Sequence, residues 1–503
     1  MGKFYLTTAI DYSNGEPHLG HALEKIGADC IARYRRLRGD QVHFLMGMDE
    51  NAQKVAQAAE RAGVPTAEWV RSLADRFDGI WRQLLCSHDD WIRTTEPRHH
   101  RATIALIEQI RARSPDDVYT GVYEGLYCLG CEEFKQEAQI INGHCEEHPN
   151  LELLHTKERN YFFRLSRYRD EILRRIRSGE LAVEPAIRRN EVVRVLEDGL
   201  QDLSISRQRL SWGIPFPGDS EQTVYVWFDA LINYLSGTGY PDAGYQRLWP
   251  ADLHVIGKGI TRFHCIIWPA MLLSAGLALP REIWAHGYVQ WGGAKVSKSA
   301  GTAVSLDEAI ERHGPDALRY FLLREVGFEA DGNFTWERFD ERYTADLADG
   351  LGNLASRSLA MLTRYRGGTV PDGSGGWLEQ AGETALARYA EAMDRLDLRA
   401  GAEAAWELVS RANLYIQQSA PWTLAKEGKD PELNQVLGGL ARCLYRLALM
   451  ASPFTPGKAQ ALWQALGQPG EAAAAQWASA GQPPVVGTAT MKPEVLFPKP
   501  APA

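Results

Sequence analysis

Two histidines near the N-terminus are spaced so that both could contact a phosphate. His18 and His21 stand three residues apart, where turn-forming residues give way to a helical pattern. On a helix this spacing places both rings on one face of the first turn, where backbone N–H groups and the helix dipole favour an anion. Gly20 leaves the backbone between them bare, so that a flat base or a ribose can approach closely. Histidines that only hydrogen-bond the neighbouring backbone would show the same pattern.

Two lysines much farther along the chain could contact a polyphosphate. Lys295 and Lys298 flank Ser297 in a glycine-bordered loop that follows the apolar, strand-like segment 285–291. Two ammonium groups and the serine hydroxyls of such a loop suit a chain of phosphates. A solvated surface loop has a similar composition, so this motif also has two interpretations when it is taken alone.

Four soft ligands between these motifs have the spacing of a metal site. Cys128 and Cys131 form one hook, and after thirteen intervening residues Cys145 and His148 form a second. Two such hooks can surround one tetrahedral ion, and closed sites of this kind usually hold structural zinc. His144, beside Cys145, could replace one ligand. Two disulfides, or a zinc knuckle that has lost its metal, are the alternatives.

Alternating strand-like and helical segments carry these residues. A short apolar strand at 4–10 leads to the His18 helix, which is expected to end at Gly39, and a second buried strand follows at 41–46. This alternation predicts an α/β fold with a parallel sheet, whose ligands bind at the carboxyl ends of the strands. Asp49 lies at that edge. Further helical patterns follow at 52–63, 65–85 and 98–113.

The alternation stops between about 119 and 222, which predicts an insertion, and resumes near 223. From about 345 onward apolar residues recur at helical spacing, as at Tyr389, Met393 and Leu396, and predict an α-helical bundle. A chain of 503 residues is long enough for two to four domains.

Composition is that of a globular protein, with 45% apolar and 24% charged residues. There is no run of about 18 apolar residues and no N-terminal leader, so we expect a cytoplasmic protein with no membrane partner. Seven cysteines, four of them isolated, do not form a disulfide framework. The net charge of −9 weighs against a nucleic-acid partner, but a local cluster of basic residues can still bind phosphates. Such a cluster is formed by Arg33, Arg35, Arg36 and Arg38.

The histidine and lysine motifs, in this order and about 280 residues apart, resemble the two signatures of class I aminoacyl-tRNA synthetases. The resemblance extends over nearly the whole chain. Within that class, the chain most resembles the methionyl-tRNA synthetases of the bacterial type with a single zinc knuckle. The segments that carry it beyond the two motifs are 225–237, 254–273, 316–334 and 345–357.

This resemblance implies a Rossmann-type parallel-sheet catalytic domain, interrupted by a zinc-knuckle connective domain and followed by a stem-contact fold and a C-terminal α-helical anticodon-binding bundle. The implied boundaries are 1–118 and 223–284 for the two halves of the catalytic domain, 119–222 for the connective domain, 285–344 for the stem-contact fold with the lysine loop, and 345–503 for the bundle.

The resemblance implies that L-methionine and ATP form methionyl-adenylate and pyrophosphate, and that methionine then passes to the 3′ end of tRNA(Met), including the initiator. His18, His21, Lys295 and Lys298 would be catalytic, and Gly20 and Ser297 would join them in binding ATP. Mg²⁺ would accompany ATP, and the zinc would be structural. No appended oligonucleotide-binding domain follows the bundle, so a monomer is expected.

By the same resemblance, Asp49 would hold the amino group of methionine. The pocket would be lined by Ile10, Tyr12, Trp227, Ala230, Tyr234, Ile260, Phe263, His264 and Trp268. A polarisable thioether gains from contact with aromatic rings, although each of these residues could also be an ordinary core residue. His264 in particular could be a buried histidine that is satisfied by its neighbours. Asn353, Arg357 and Trp422 stand at the anticodon-reading positions, where Trp or Arg can stack on a base.

Three positions depart from the family pattern. Asn51-Ala52 stands where relatives usually have His-Gly, Asp11 where they have an aromatic residue or proline, and Val296 where they have Met. A carboxylate at position 11 could repel the substrate carboxylate or bind a cationic group, so these departures bear on the choice of amino acid.

Two alternatives follow from these departures. One is a class I enzyme for another amino acid, such as cysteine, leucine or valine, or an amino-acid ligase that does not use tRNA. The other is a catalytically silent RNA-binding relative. The Cys/His cluster in the insertion, the short length of that insertion and the intact histidine and lysine motifs argue against both.

Overall fold

A parallel sheet forms the centre of the first half of the chain, as the alternation of strands and helices predicts. The computed structural model describes residues 2–13, 15–128, 130, 133–135, 140–146, 149–208, 212–291, 294–295, 305–491 and 494–499. Within these ranges the strand order is β10-β16-β15-β1-β3, and β3 pairs in addition with β2 and β4. All of these pairings are parallel.

The strands, in chain order, are β1 (Lys3–Thr8), β2 (Asp11–Tyr12), β3 (Gln41–Asp49), β4 (Asp90–Arg93), β5 (Val118–Cys128), β6 (Glu133–Lys135), β7 (Ile140–Ile141), β8 (His144–Cys145), β9 (Leu154–Phe163), β10 (Ala182–Glu184), β11 (Leu203–Ser204), β12 (Ser206–Gln208), β13 (Pro215–Phe216), β14 (Asp219–Val224), β15 (Leu253–Gly257), β16 (Glu282–His286), β17 (Val289–Trp291), β18 (Ala294–Lys295) and β19 (Gly332–Phe334).

The α-helices are α1 (Leu19–Leu37), α2 (Gln53–Ala62), α3 (Thr66–Gln83), α4 (Pro97–Arg113), α5 (Arg169–Ser178), α6 (Ala186–Asp198), α7 (Val226–Leu231), α8 (Asn233–Ser236), α9 (Trp268–Ala275), α10 (Leu306–His313), α11 (Pro315–Phe321), α12 (Trp336–Arg342), α13 (Asn353–Arg366), α14 (Trp377–Asp394), α15 (Leu398–Ser419), α16 (Pro421–Lys426), α17 (Asp430–Ala451) and α18 (Pro456–Ala465). Wider, π-helical turns occur at Phe263–Ile267, Leu322–Val326 and Tyr343–Gly352.

The carboxyl ends of the central strands meet at one edge of the sheet. Strand β3 ends at Asp49, β15 at Gly257 and β16 at His286, and α1 begins at the same edge after the segment that follows β1. Parallel strands bring their carboxyl ends together in this way, so residues that are far apart in the chain become neighbours here.

The insertion is built on a long antiparallel hairpin rather than on βα units. Strands β5 and β9 pair from Val118↔Phe163 to Tyr127↔Leu154, and β6 and β11 extend this second sheet. The predicted insertion also supplies β10, which pairs in parallel with β16 at the edge of the main sheet. The two sheets are therefore joined through this segment.

Helices alone make up the chain from Asn353 to Ala465, which confirms the predicted bundle. Tyr389, Met393 and Leu396 are buried there, as their spacing predicts. The same hydrophobic core continues into α1, whose Tyr34 packs edge-on against Tyr389. In the described part of the chain, no helix is both long and apolar enough to cross a membrane.

Candidate functional site

A cavity of about 320 Å³ opens at the carboxyl edge of the parallel sheet. It lies between the start of α1, the end of β3, helices α7 and α8, and the segments that follow β15 and β16. Its lining includes Ile10, Asp11, Tyr12, His18, Gly20, His21, Glu24, Asp49, Trp227, Ala230, Tyr234, Gly257, Gly259, Ile260, Phe263, His264, His286, Gly287 and Tyr288. The sheet thus brings together residues that are predicted to bind two different ligands.

The two histidines of the first motif cap helix α1. The backbone N–H of Gly20 donates to His18 Nδ1 at 3.1 Å, and the backbone N–H of His18 donates to His21 Nδ1 at 3.3 Å. Their rings stack with centroids 3.8 Å apart. Because Nδ1 of each neutral ring accepts, the ring proton is on Nε2, which is the atom that would donate to an anion. The capping and phosphate-binding interpretations are therefore compatible.

The packing around residue 20 also favours glycine at this position. A methyl group at residue 20 would lie 3.0 Å from Cε1 and 3.1 Å from Nδ1 of His18. Contacts this short would displace the ring. Glycine therefore leaves room for the stacked ring of His18 and keeps the backbone bare at the cavity.

Three aromatic rings in succession form one wall of the cavity. Tyr12 stacks on Trp227 with centroids 6.3 Å apart, and Trp227 stacks on Phe263 at 4.4 Å. Ala230 and Ile260 lie beside them in the lining. An apolar, polarisable wall of this kind suits a thioether side chain.

His264 lines the cavity and is also satisfied by its neighbours. Its Nδ1 lies 3.0 Å from the carbonyl oxygen of Ile260, to which it must donate, so Nε2 accepts from the hydroxyl of Tyr234 at 2.6 Å. Burial lowers the pKa of His264 to about 4, which keeps the ring neutral at physiological pH. Its structural role is to orient the Tyr234 hydroxyl.

Trp268, which is predicted to line the methionine pocket, is not among the residues that line this cavity. Its side chain is fully buried against Tyr234, with ring centroids 6.0 Å apart, and its indole N–H donates to His254 Nε2 at 3.3 Å. Trp268 thus contacts a lining residue, and its own contact with methionine remains a prediction.

Asp49 ends β3 and is 2% exposed in the cavity wall. Its backbone is held by Ser13, whose N–H and hydroxyl both donate to the Asp49 carbonyl oxygen, at 3.1 and 2.7 Å. Tyr12 is its register partner in β2. A carboxylate fixed beside aromatic rings suits the ammonium group of an amino acid.

Asp11 belongs to the cavity lining, and both of its carboxylate oxygens contact groups of the protein. Its Oδ1 lies 3.0 Å from the ammonium group of Lys25, and its Oδ2 accepts from the indole N–H of Trp81 at 2.9 Å. Burial raises the pKa of Asp11 to about 6, although Lys25 opposes this shift. The carboxylate charge is therefore balanced from within the protein.

Asn51 is likewise part of an internal network. Its amide donates to the carbonyl oxygen of Thr94 at 2.9 Å and to Asp229 Oδ2 at 2.8 Å. Asp229, which precedes Ala230, also contacts His99 Nε2 through Oδ1 at 2.8 Å. This network fastens the loop after β3 to helix α7, which carries Trp227.

Glu24 and His286 line the cavity, although we do not predict them from the sequence. Each has a signal that could have identified it. Glu24 follows His21 by three residues, which places it on the same face of α1. His286 ends a buried strand at the carboxyl edge of the sheet.

The lysine motif lies mostly outside the described residues. Only the backbone of Lys295 is described, in β18, where it pairs with Gln290 of β17. Ser297 and Lys298 fall outside the described ranges, as does Val296. Their predicted contacts with ATP remain predictions.

The predicted zinc site is half described. Cys128 and Cys145, one from each hook, are both buried. Cys131 and His148 fall outside the described residues. Among the residues that are described, no group of three or more metal-ligating side chains is found. Two buried thiols are a donor set that fits zinc.

The three predicted anticodon residues lie on the helical bundle. Asn353 and Arg357 are half-buried and one turn apart at the start of α13, while 47% of Trp422 is exposed on α16. An exposed indole of this kind can stack on an unpaired base.

Two family models match the chain. The model described as "tRNA synthetases class I (M)" matches residues 4–152 and 147–359, and the model of the anticodon binding domain of methionyl tRNA ligase matches residues 367–501. Together they cover nearly all of the sequence.

Curated relatives are similar over most of their length. The methionine–tRNA ligase of Thermotoga maritima is 42% identical over 92% of this chain and 75% of its own. That of Streptomyces coelicolor is 39% identical over 99% of this chain and 96% of its own, and that of Mesorhizobium japonicum 41% over 99% and 98%.

Solved structures of methionyl-tRNA synthetases are also similar to this chain, both in fold and in sequence. The Mycobacterium tuberculosis methionyl-tRNA synthetase in complex with methionyl-adenylate has a TM-score of 0.94 and is 40% identical, over 99% of this chain and 100% of its own. The free-state structure from the same organism has a TM-score of 0.88 at 36% identity, over 100% and 99% of the two chains.

Proposed function

The chain belongs to the methionyl-tRNA synthetases, and from this premise we propose which of its residues perform each part of the reaction. It is a methionine–tRNA ligase, which activates methionine with ATP and then transfers it to tRNA. The observation that carries this conclusion is about 40% identity to such ligases over nearly the whole chain, with the cavity placed where the histidine motif meets the sheet. Membership in this family argues against both alternatives, an enzyme for another amino acid and a catalytically silent relative.

Methionine lies against the aromatic wall in this proposal. Asp49 holds the ammonium group, and the thioether contacts the rings of Tyr12, Trp227 and Phe263. The other residues proposed to line this part of the cavity are Ile10, Ala230, Tyr234, Ile260 and His264. Asp11 takes no part in binding because Lys25 and Trp81 already occupy its oxygens.

In the activation step, a methionine carboxylate oxygen forms a bond to the α-phosphorus of ATP, and the bond to pyrophosphate breaks. The Nε2–H groups of His18 and His21 donate to the phosphates, supported by the capping geometry that orients both rings. Gly20 lets the nucleotide approach the backbone. No protein nucleophile is needed, so the enzyme positions the reactants and stabilises the charge on phosphate oxygens.

Lys295, Ser297 and Lys298 complete the phosphate site in the proposal. Strand β17, which follows directly on Tyr288 of the cavity lining and pairs with β18, supports this assignment because β18 contains Lys295. The two ammonium groups would stabilise the departing pyrophosphate. Mg²⁺ accompanies ATP, held largely by the phosphates, and neutralises part of their charge.

Cys128, Cys131, Cys145 and His148 are proposed to bind one structural zinc ion. The burial of Cys128 and Cys145 supports this assignment, because closed structural sites keep their sulfur ligands away from solvent. The metal would cross-link the hairpin after β5 and supply folding energy rather than chemistry.

Asn353, Arg357 and Trp422 are proposed to read the anticodon of tRNA(Met), with both the initiator and the elongator tRNA as substrates. The exposed indole of Trp422 supports the assignment. The enzyme is proposed to act as a monomer in the cytoplasm, since one chain supplies the whole cavity and charged tRNA is used there by ribosomes.

The test is exchange of pyrophosphate into ATP, measured with each of the twenty amino acids and without tRNA. We expect exchange with methionine alone. Exchange with another amino acid, or none at all, would overturn the proposal. Asp49→Asn should reduce the methionine-dependent rate at least about 100-fold, because the ammonium group loses its charged partner. Charging of initiator and elongator transcripts, each with and without an altered anticodon, then tests the bundle.

A further inference from the structure

Lys25, which belongs to neither sequence motif, has its ammonium group inside the protein beside the cavity. It lies on the second turn of α1, and 1% of its side chain is exposed. Three oxygens surround Nζ: the carbonyl oxygen of Ala9 at 2.6 Å, Asp11 Oδ1 at 3.0 Å and Glu24 Oε1 at 2.7 Å. An ammonium group has three donors, so the protein uses all of them.

The second carboxylate oxygens of Asp11 and Glu24 make further contacts, one with α3 and the other with β16. Asp11 Oδ2 accepts from the indole N–H of Trp81 on α3, at 2.9 Å. Glu24 Oε2 lies 3.1 Å from Nε2 of His286, at the end of β16. One cation thereby joins α1, α3, β16 and the segment between β1 and β2.

His286 holds the far end of this group. Its Nδ1 lies 2.7 Å from the carbonyl oxygen of Gly287, which can only accept. Its Nε2 lies 3.1 Å from Glu24 Oε2. Between the two ends, the ammonium group of Lys25 contacts both carboxylates. Opposite charges that are buried in contact cost less than a lone buried charge.

The residues that Lys25 connects lie beside both parts of the cavity that are proposed to bind substrates. Ala9 and Asp11 alternate with Ile10 and Tyr12, which are proposed to contact methionine. At the other end, His286 leads through Gly287 and Tyr288 to the strand that precedes the lysine loop. Lys25 thus lies between the amino-acid wall and the nucleotide side.

We propose that Lys25 is a positioning residue for methionine activation, which holds residues 9–12 and the end of β16 in register with the first two turns of α1. The inference rests on the activation reaction proposed above. Lys25 touches neither substrate in this proposal. It acts through the Ala9 carbonyl, Asp11 and Glu24, and so sets the distance between the methionine wall and the phosphate-binding histidines.

The test is Lys25→Met, which keeps the length of the side chain and removes its charge. Active sites are titrated, and the KM values for methionine and for ATP are measured separately in pyrophosphate exchange. We expect both KM values to rise by about tenfold or more, because both walls lose their anchor. A residue with a merely structural role would lower the fraction of active enzyme and leave both KM values unchanged.

Arg446→Met is the matched control. Arg446 is equally buried, with 1% of its side chain exposed, and it pairs with Glu379 at 2.6 Å in the helical bundle. Its loss removes a buried cation without touching the cavity, so both KM values should stay within twofold of the unchanged enzyme. Equal changes in both variants would overturn the proposal.

Asp11→Asn provides a second test that does not depend on how well Lys25→Met folds. It keeps the shape of the side chain and the Lys25–Glu24 pair, and weakens only the contact to residues 9–12. We expect the KM for methionine to rise about three- to tenfold, with a smaller change for ATP. An unchanged methionine KM in this variant would overturn the proposal. Absence of methionine-dependent exchange in the unchanged enzyme would instead overturn the proposed function itself.

Discussion

Arg319 donates to Asp29 across 2.6 Å, and both side chains are completely buried. Asp29 lies on α1, the helix that begins directly after His18, and Arg319 lies on α11. The same guanidinium donates to the carbonyl oxygens of Leu84, Pro453 and Phe454. One side chain therefore joins the active-site helix, the end of α3 and the loop between α17 and α18 of the bundle.

Arg319→Met should destabilise the protein strongly. It leaves three carbonyl oxygens and part of the Asp29 carboxylate buried without their donor, and breaking a buried pair costs about 3–5 kcal/mol. Urea unfolding at neutral pH measures the change. Arg395→Met is the control, because its pair with Glu391 is 64% and 67% exposed, and such a pair contributes less than about 0.5 kcal/mol. Similar losses in the two variants would contradict this account of the buried pair.

Asp11 should make the stability of the protein depend on pH in an unusual direction for a carboxyl group. Folding raises its pKa to about 6, so the folded chain binds this proton more tightly than the unfolded chain does. Its stabilising contribution is full below the ordinary value near 3.8 and is lost as the pH rises through about 6.

The measurement compares the free energy of unfolding of the unchanged protein with that of Asp11→Asn between pH 4 and pH 7. From pH 4 to pH 7 the unchanged protein should lose about 2 kcal/mol of its free energy of unfolding relative to Asp11→Asn, at about 1.4 kcal/mol per pKa unit. A difference that is flat with pH, or that shifts in the other direction, would show that Lys25 outweighs burial.

Gly20→Ala should impair activation without harming the fold. The added methyl group would lie 3.0 Å from the His18 ring and push that ring aside by a few tenths of an ångström. Since a misplacement of about 1 Å costs on the order of 100-fold in rate, we expect a loss of about tenfold. Alanine is also the better helix former, so the melting temperature should not fall. Exchange kinetics should show a lower kcat with little change in the KM for methionine.

Gly79→Ala is the control for this prediction. Gly79 lies inside α3, and a methyl group there would meet no atom within 4 Å. It should leave the exchange kinetics unchanged and raise the melting temperature slightly. A Gly20→Ala enzyme as active as Gly79→Ala would rule out a requirement for the stacked histidine geometry.

Residues whose role follows from local pattern could be predicted from the sequence, and residues whose role depends on a distant partner could not. The alternation of strands and helices predicts the parallel sheet, and the strand ends then place Asp49 and the His18 motif at one edge. Asp11 meets Trp81, 70 residues away, and Asn51 meets Asp229, 178 residues away. Nothing in the local sequence shows that these partners balance the polar groups.

Trp268 illustrates a second limit. Its aromatic type and its place after β15 fit a pocket residue as well as a core residue, and only the packing of Tyr234 in front of it distinguishes the two. His264, four residues earlier, lies on the cavity side of the same helical turn. Whether a side chain faces the cavity or lies behind the lining depends on how the neighbouring side chains pack. The spacing of apolar residues in the sequence does not show this.

Tyr234→Phe should weaken methionine binding through His264. The hydroxyl of Tyr234 donates to His264 Nε2 at 2.6 Å, and this ring stays neutral at pH 7 because burial lowers its pKa to about 4. Removing the hydroxyl leaves a buried acceptor in the cavity wall, at a cost of about 1–2 kcal/mol, so the KM for methionine should rise about 5- to 30-fold. Tyr240→Phe removes the hydroxyl of another buried tyrosine, one that donates to Gln109 at 2.6 Å away from the cavity, and should change neither KM. A methionine KM that is the same in both variants would show that the Tyr234–His264 contact serves the core alone.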